Sequence, residues 1–341
     1  MKALSIAFTL LVAFNSFTIA SPVRTVDKRQ NSQLVGYLGA FFLGNEPYVY
    51  FDLSNGNNAL SFSPLNRGGP ILIPTSGTGG IRDPSLISGG GGESGRKWYI
   101  IGTDLHIGKT DWDTAQRHGS LSIFVWESTD LVNWSQERLV KVENDNAGMV
   151  WAPDAIWDEE AGQYMVHWSS RFFAGNDPNH AGTRSASMIR YAYTSDFRTF
   201  SEPKTYIDPS PLSVIDLAFI HMGGNSYARF LKNEASNPSV YMERSDNGLF
   251  GTWTRPGGPN AYIREGVEGP YAYRDNLDPN KTYLLVDYYG ADGYRPLQST
   301  NLNSQNSWVD ADRSSFPQLR RHGSVISITQ DRYDALQAKW R

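Results

Sequence analysis

Five short stretches of this chain each carry an acidic or imidazole side chain at the head of an apolar, strand-like run: Arg82-Asp83-Pro84, Trp151-Ala152-Pro153-Asp154, Val214-Ile215-Asp216, Glu268-Gly269-Pro270 and Arg321-His322-Gly323. They recur about every 50 to 70 residues. A fixed period of that size signals one supersecondary unit repeated around a common centre. The spacing therefore predicts a ring of similar units, each presenting a polar side chain to the middle.

A second recurring element marks the far side of each unit: a strand, a Ser/Thr-Asp or related turn, then an aromatic. It reads Val125 to Asp130 with Trp134, Tyr193 to Asp196 with Phe200, and Glu243 to Asp246 with Trp253; looser copies are Ser299 to Asn301 with Trp308 and Phe51 to Ser54 with Phe62. Between the two elements lies a further apolar strand, at Lys97 to Gly102, Gln163 to Trp168, Ser226 to Leu231 and Thr282 to Tyr288. Three or four antiparallel strands per unit make a propeller blade. The fifth unit is split: residues 35 to 62 lack an axial segment, and residues 321 to 328 are an axial segment without outer strands. Joining them closes the ring and removes an exposed sheet edge. The expected fold is thus all-β, a five-bladed β-propeller whose last blade is closed by N-terminal strands and the C-terminal axial strand; a β-sandwich is the alternative.

Composition agrees with many short strands and tight turns: aromatics are 13% of residues and Gly numbers 32, whereas long helical patterns are scarce. With no cysteine, the core alone must hold the domain, which a single unit of this size can do. Lys2, the apolar run Ala3 to Phe14 and the small residues Ala20 and Ser21 have the layout of a secretory signal. Residues 1–20 are therefore expected to be a signal peptide. Residues 21–29 are read as a propeptide ending at the Lys28-Arg29 pair, with two solvated basic residues as the alternative, and 30–341 as a single catalytic propeller. The product is expected to be extracellular and monomeric, with sequons at Asn133 and Asn280 open to glycans. A net charge of −4 without a basic cluster argues against nucleic acid or an anionic membrane as partner. The expected ligand is neutral, and 10 Trp and 18 Tyr supply flat faces of the kind that stack on sugar rings.

Carboxylates converging on an axis suit glycoside hydrolysis, which needs one protonated carboxyl to assist the leaving oxygen and one ionised carboxyl to activate water or attack the sugar. Asp83, beside Arg82, is the candidate general base, because a guanidinium favours the ionised form. Glu268, between Gly266, Gly269 and Pro270, is the candidate general acid. Asp154 would be a third negative group, placed to raise the pKa of the acid. Asp216 occupies the axial position of the third unit, with Leu217 where proline stands elsewhere, and reads as a structural or subsite residue. Trp151 is either a sugar platform or a wedge between blades. His106 and His118 lie on loops where they could touch substrate, and Arg295 is either a sugar contact or a surface ion-pair partner.

In that order and on successive units, Arg82-Asp83-Pro84, Trp151-Ala152-Pro153-Asp154 and Glu268-Gly269-Pro270 resemble the three signature segments of glycoside hydrolase family 43, over about residues 35 to 330. The resemblance implies the five-bladed propeller and an inverting mechanism, with Asp83 as base, Asp154 as modulator and orienter, and Glu268 as acid. It also implies that His322 lies beneath the site near a central ion or water cluster, so a structural calcium contacted through water is expected there; no cofactor is required for the chemistry. The substrates implied are plant cell-wall pentosans and some galactans. The stretch Trp98 to Trp134 and the N-terminal half-blade look most like branches that release terminal arabinofuranose from arabinan or arabinoxylan. β-Xylosidase and exo-β-1,3-galactanase are the alternatives within hydrolysis. Outside it stands an inactive carbohydrate-binding propeller, disfavoured by the presence of all three carboxylates.

Overall fold

The computed structural model describes residues 33–341; the signal-peptide and propeptide readings, with Lys28-Arg29, lie outside the described residues. Twenty strands form five four-stranded antiparallel sheets. The chain begins in the blade it will later close, with β1 (Leu34–Phe42), β2 (Tyr50–Asn55) and β3 (Asn58–Pro64). The first complete blade is β4 (Ile81–Ser88), β5 (Trp98–Asp104), β6 (Ser122–Ser128) and β7 (Arg138–Lys141). Between β5 and β6 a short helix α1 (Trp112–Arg117) is capped by the Asp111 side chain, which accepts from the N–H groups of Asp113 and Thr114. The second blade is β8 (Trp151–Asp158), β9 (Gln163–Ser170), β10 (Met188–Thr194) and β11 (Lys204–Ile207). The third is β12 (Val214–Gly223), β13 (Ser226–Asn233), β14 (Ser239–Ser245) and β15 (Arg264–Glu265). The fourth is β16 (Glu268–Arg274), β17 (Thr282–Tyr288), β18 (Gly293–Ser299) and β19 (Val309–Asp310). Finally β20 (Arg321–Thr329) pairs with β1, giving the order β20-β1-β2-β3, and helix α2 (Gln330–Trp340) follows.

All five predicted axial segments head the innermost strands, β4, β8, β12, β16 and β20, and each inner strand packs against the next around the ring. The apolar core is divided among the interfaces between blades. One cluster joins the closing blade to the first through Leu38, Phe51, Ile100, Trp126 and Ile328, and another joins the first to the second through Tyr99, Val125, Val166 and Trp168. This is why alternation along the strands is weak: both faces of a blade are buried.

The Ser/Thr turns also have a local cause. Ser128 ends β6, and its hydroxyl accepts from the N–H of Leu131 at 2.9 Å while Asp130 accepts from Val132 and Asn133. Thr194 and Asp196 repeat the arrangement with Phe197, Arg198 and Thr199. Both Leu131 and Phe197 take positive φ, 66° and 52°, which directs a buried apolar side chain back under the blade.

Closure is reinforced by polar contacts as well as by the β1–β20 ladder. The buried guanidinium of Arg320 donates to Asp52 on β2 at 2.7 and 3.3 Å. Helix α2, which sequence reading did not anticipate, packs Tyr333, Leu336 and Trp340 onto the same core. The Tyr333 hydroxyl donates to the Ser54 carbonyl at 2.8 Å and accepts from the Gly56 N–H at 3.0 Å. Tyr333→Phe leaves both backbone groups unpaired and is expected to lower stability by about 1–3 kcal/mol. Denaturant titration checks this, and an unchanged midpoint would remove α2 from the closure.

Candidate active site

Each inner strand starts with the same irregularity. Three residues of the inner strand span two of its neighbour, so that Arg82 pairs with Thr103 but Ser85 with Ile101, and Trp151 with Ser169 but Asp154 with His167. The other three blades repeat it: Ile215 with Lys232 then Ala218 with Phe230, Glu268 with Asp287 then Tyr271 with Leu285, and Arg321 with Phe42 then Ser324 with Ala40. One extra residue in one strand is a β-bulge, which bends the strand and re-aims its side chains. In four of the five, the first bulged residue is left-handed: Asp83 (φ 50°), Ala152 (φ 47°), Asp216 (φ 56°) and Gly269 (φ 55°). Such conformations are costly outside glycine and cluster at functional sites.

The bulges sort the axial residues into two layers. Residues just before the bulge (Arg82, Trp151, Ile215, Glu268, Arg321) line an open cleft of about 590 Å3, together with Asp83, Asp216 and His322 from within it. Residues just after it (Ser85, Asp154, Ala218, Tyr271) line a small second cavity of about 10 Å3, which shares Asp83 and His322 with the cleft. Asp154 therefore belongs to the lower layer. Its carboxylate accepts from the Ser85 hydroxyl and, at 2.8 Å, from its neighbour's N–H on Ala155. Burial raises its pKa to about 6 against those hydrogen bonds.

The structure thus brings Asp83, Asp216 and Glu268 together and corrects the expected third carboxylate from Asp154 to Asp216. Asp83 stands immediately before the proline of its segment, whereas Asp154 stands immediately after Pro153. Aligned on that proline slot, the partner of Asp83 is Asp216, with Leu217 in the slot. That alignment was available in the sequence.

Side chains from neighbouring blades fix the bulges. The Thr103 hydroxyl donates to Asp83 at 2.9 Å and accepts from the Ala152 N–H at 2.8 Å. Ser169, at the equivalent position of β9, accepts from the Asp216 N–H at 3.3 Å, and Asp287 on β17 accepts from the His322 N–H at 3.2 Å. In the third blade the equivalent residue is Lys232, which has no acceptor. The Gly269 N–H is taken instead by the Asp216 carboxylate at 3.0 Å, and Lys232 Nζ donates to Glu268 at 2.9 Å. Arg321 donates to Glu268 at 3.2 Å and to Asp287 at 2.7 Å. Glu268 thus sits between two cations.

His322 Nδ1 lies 3.4 Å from Asp83. Burial pushes Asp83 up, but the His322 hydrogen bond, the charges of His322 and Arg82 and the Thr103 hydroxyl outweigh it, leaving the carboxyl below its ordinary range. Burial likewise opposes the His322 charge, yet the Asp83 hydrogen bond and the charges of Asp216, Asp83 and Asp287 raise its pKa to about 9. Burial also raises Asp216; the Glu268 and Asp83 charges add to that effect, and His322 and Lys232 oppose it.

Several other readings are corrected by position. Trp151 does line the cleft, with Trp112 edge-on at 5.9 Å between ring centres. Arg295 does not: it pairs with Asp292 at 2.9 Å and stacks on Tyr288 at 3.9 Å, away from the cleft lining. His106 is also outside the lining, its ring packed beside Gly108 while its neighbours Leu105 and Ile107 face the cleft. His322 makes an ion pair with Asp83. Calcium requires six to eight oxygen ligands, and among the described residues no group of three or more His, Asp or Glu side chains could hold a metal ion. Lys232, Thr103, Trp112 and Tyr289 escaped sequence reading because they lie on second strands and loops without a motif, whereas Arg321 stands in the fifth axial segment and only its pairing with Glu268 was unread.

A propeller whose axial bulges gather acidic side chains from separate blades in one open cleft is of glycoside hydrolase type. The chain belongs to the family 43-related glycosyl hydrolases, whose family model, described as "Probable glycosyl hydrolase domain", matches residues 32–334. It is 34% identical over 209 residues to an alpha-L-arabinofuranosidase of Bifidobacterium longum subsp. longum, covering 55% of this chain and 19% of that protein. The chain thus spans about a fifth of that relative. Among solved structures, it is similar to the Hadza microbial sialidase Hz136, with a TM-score of 0.48 and 15% identity over 81% of this chain and 57% of the other. Another is the catalytic domain of the Coprinopsis cinerea glycoside hydrolase family 62 alpha-L-arabinofuranosidase, with a TM-score of 0.47 and 17% identity over 73% of this chain and 74% of the other.

Two outcomes follow from this geometry. A Cβ on Gly269 would meet His322 Cγ at 2.7 Å in a left-handed backbone, so Gly269→Ala is expected to cut turnover at least tenfold and to destabilise by about 1–3 kcal/mol. Thermal melts with kinetics on the same sample test it. A raised imidazole pKa stabilises the fold fully below the unfolded value of 6.5 and ceases to do so as pH rises through about 9. Wild-type unfolding free energy should then fall more steeply than that of His322→Gln across this window; parallel profiles would contradict the ion pair.

Proposed function

We propose that this chain is a secreted, inverting glycosidase that releases terminal arabinofuranose from arabinan or arabinoxylan side chains. The observation that carries the reading is the convergence of Asp83, Asp216 and Glu268 in one open cleft, with Asp83 held ionised by His322, Arg82 and Thr103. An ionised, hydrogen-bonded carboxylate suits the general base. Asp83 takes a proton from water as that water attacks the anomeric carbon from the face opposite the leaving group.

Glu268, carrying a proton, gives it to the departing glycosidic oxygen. Lys232 and Arg321 then compensate the carboxylate that remains, which makes the transfer more favourable. Asp216 sets a like charge beside the acid and, through the Gly269 N–H, fixes the peptide that carries it. Trp151 and Trp112 offer apolar faces at the cleft wall. Each cation of the cleft, Arg82, Lys232, Arg321 and His322, has a carboxyl group beside it, which favours an uncharged sugar. Similarity to the bifidobacterial arabinofuranosidase supports the choice of sugar, and the Lys2 to Ser21 layout supports secretion.

Glu268→Gln and Asp83→Asn are each expected to lower kcat/KM by about 10²–10⁴-fold while ligand binding survives; Asp216→Asn should fall nearer the lower end. Release from aryl α-L-arabinofuranoside, aryl β-D-xyloside, linear arabinan and β-1,3-galactan, with products sized, tests the substrate, and xylose without arabinose would overturn it. The anomeric configuration of the first-formed product, read by proton NMR, tests inversion.

A further inference from the structure

Away from the cleft, a long concave surface runs between the second and third blades. Its upper part has a volume of about 790 Å3 and its lower part about 410 Å3; Ile207 and Arg229 line both, so the two are continuous. The upper part shares a wall with the cleft. Along β12 and the end of β13, alternate residues face opposite ways: Ile215, Lys232 and Glu234 line the cleft, whereas Val214, Asn233 and Ala235 line the groove. The cleft and the groove therefore lie on opposite sides of the same two strands.

The lining has the chemistry of a neutral, flat ligand. Arg229 pairs with Glu243 at 2.6 Å and Arg255 lies 3.7 Å from the same carboxylate, while Glu265 and Asp208 lie on the same lining, so the surface carries both signs of charge without a cluster of either. Arg255 lies 3.3 Å from the Tyr241 ring centre and presents a planar face. Tyr262 stands at the rim 43% exposed, beside Asn237, whose amide donates to Glu265 at 2.5 Å. In the lower part Phe250 is 53% exposed, packed against Tyr191 and Tyr206 at 5.2 and 5.4 Å. Exposed rings rimmed by an amide and by charges of both signs do not favour a phosphate, a nucleic acid or an acidic peptide, and the strands shared with the cleft indicate what does enter.

We propose that this groove is an accessory glycan-binding site, occupied by an uncharged oligosaccharide stretch of the same polymer whose terminal residue sits in the cleft. The inference rests on the glycosidase reading for the identity of the polymer. Its role is to raise the affinity for polymeric over small substrates by linking two weak contacts on one chain.

The test compares wild type, Tyr262→Ala and Phe250→Ala, both exposed positions remote from the catalytic carboxylates. On aryl α-L-arabinofuranoside the variants should match wild type within about twofold, while on arabinan and arabinoxylan kcat/KM should drop at least about fivefold for Tyr262→Ala, mainly through KM. Equal ratios on small and polymeric substrates overturn the groove. In parallel, Glu268→Gln and Glu268→Gln/Tyr262→Ala are run in native gels containing the same polysaccharides. Loss of retardation in the double variant supports the site, and equal retardation, or none in either, overturns it. If wild type hydrolyses none of the aryl glycosides, the proposed activity falls, while the gel comparison still decides the groove.

Discussion

The site depends on one recurring strain: a two-for-one bulge at the head of every inner strand. A bulge leaves a backbone N–H without its ladder partner, and a buried N–H must find another acceptor. Thr103, Ser169 and Asp287 supply it from the blade before, so β8, β12 and β20 are each fastened to the preceding blade by a side chain. Where Lys232 interrupts that series, Asp216 takes over. The same substitution that removes an acceptor places a cation on Glu268, and the third blade becomes chemically unlike the others.

This arrangement makes electrostatics and backbone geometry inseparable. Asp83 and Asp216 are held in left-handed conformations, and each carboxylate answers to a neighbour: Asp83 to Thr103 and His322, Asp216 to the Gly269 peptide. Pre-bulge and post-bulge residues are separated by only three positions in sequence, yet they fall in different layers. The axis is therefore a stack, with charge chemistry in the open upper layer and the hydrogen-bonded Asp154 with Ser85 beneath.

The blade plan was legible in the sequence because each unit repeats the same local instructions. Axial segments, second strands and Ser/Thr turns recur at a period, and the split fifth unit follows from what each chain end lacks. Asp83, Glu268 and Trp151 were legible because they sit on those segments and line the cleft. Asp154 was misread because Trp-Ala-Pro-Asp looks like Arg-Asp-Pro until the prolines are superposed, which shifts the acid by two places. Arg295 and His106 lie near cleft residues in sequence, but a strand's alternation and a loop's turn direct them elsewhere. Lys232 and helix α2 carry no periodic signal, and Arg321, though it heads the fifth axial segment, does not disclose its partner there; their roles come from which blade they face, a long-range property.

Arg321 and His322, which hold Glu268 and Asp83, belong to β20, the strand that closes the ring against β1. Two of the cations in the charge network are thus supplied by the strand that pairs across the greatest sequence separation. Four blades can form from local hairpins while the carboxylates of β4, β12 and β16 still lack these counter-charges, and only the most distant strand pairing in the chain supplies them. Ring closure and the charge balance of the site thus share one strand: a propeller opened at the β1–β20 seam would lose its hold on Arg321 and His322 together with its closing ladder.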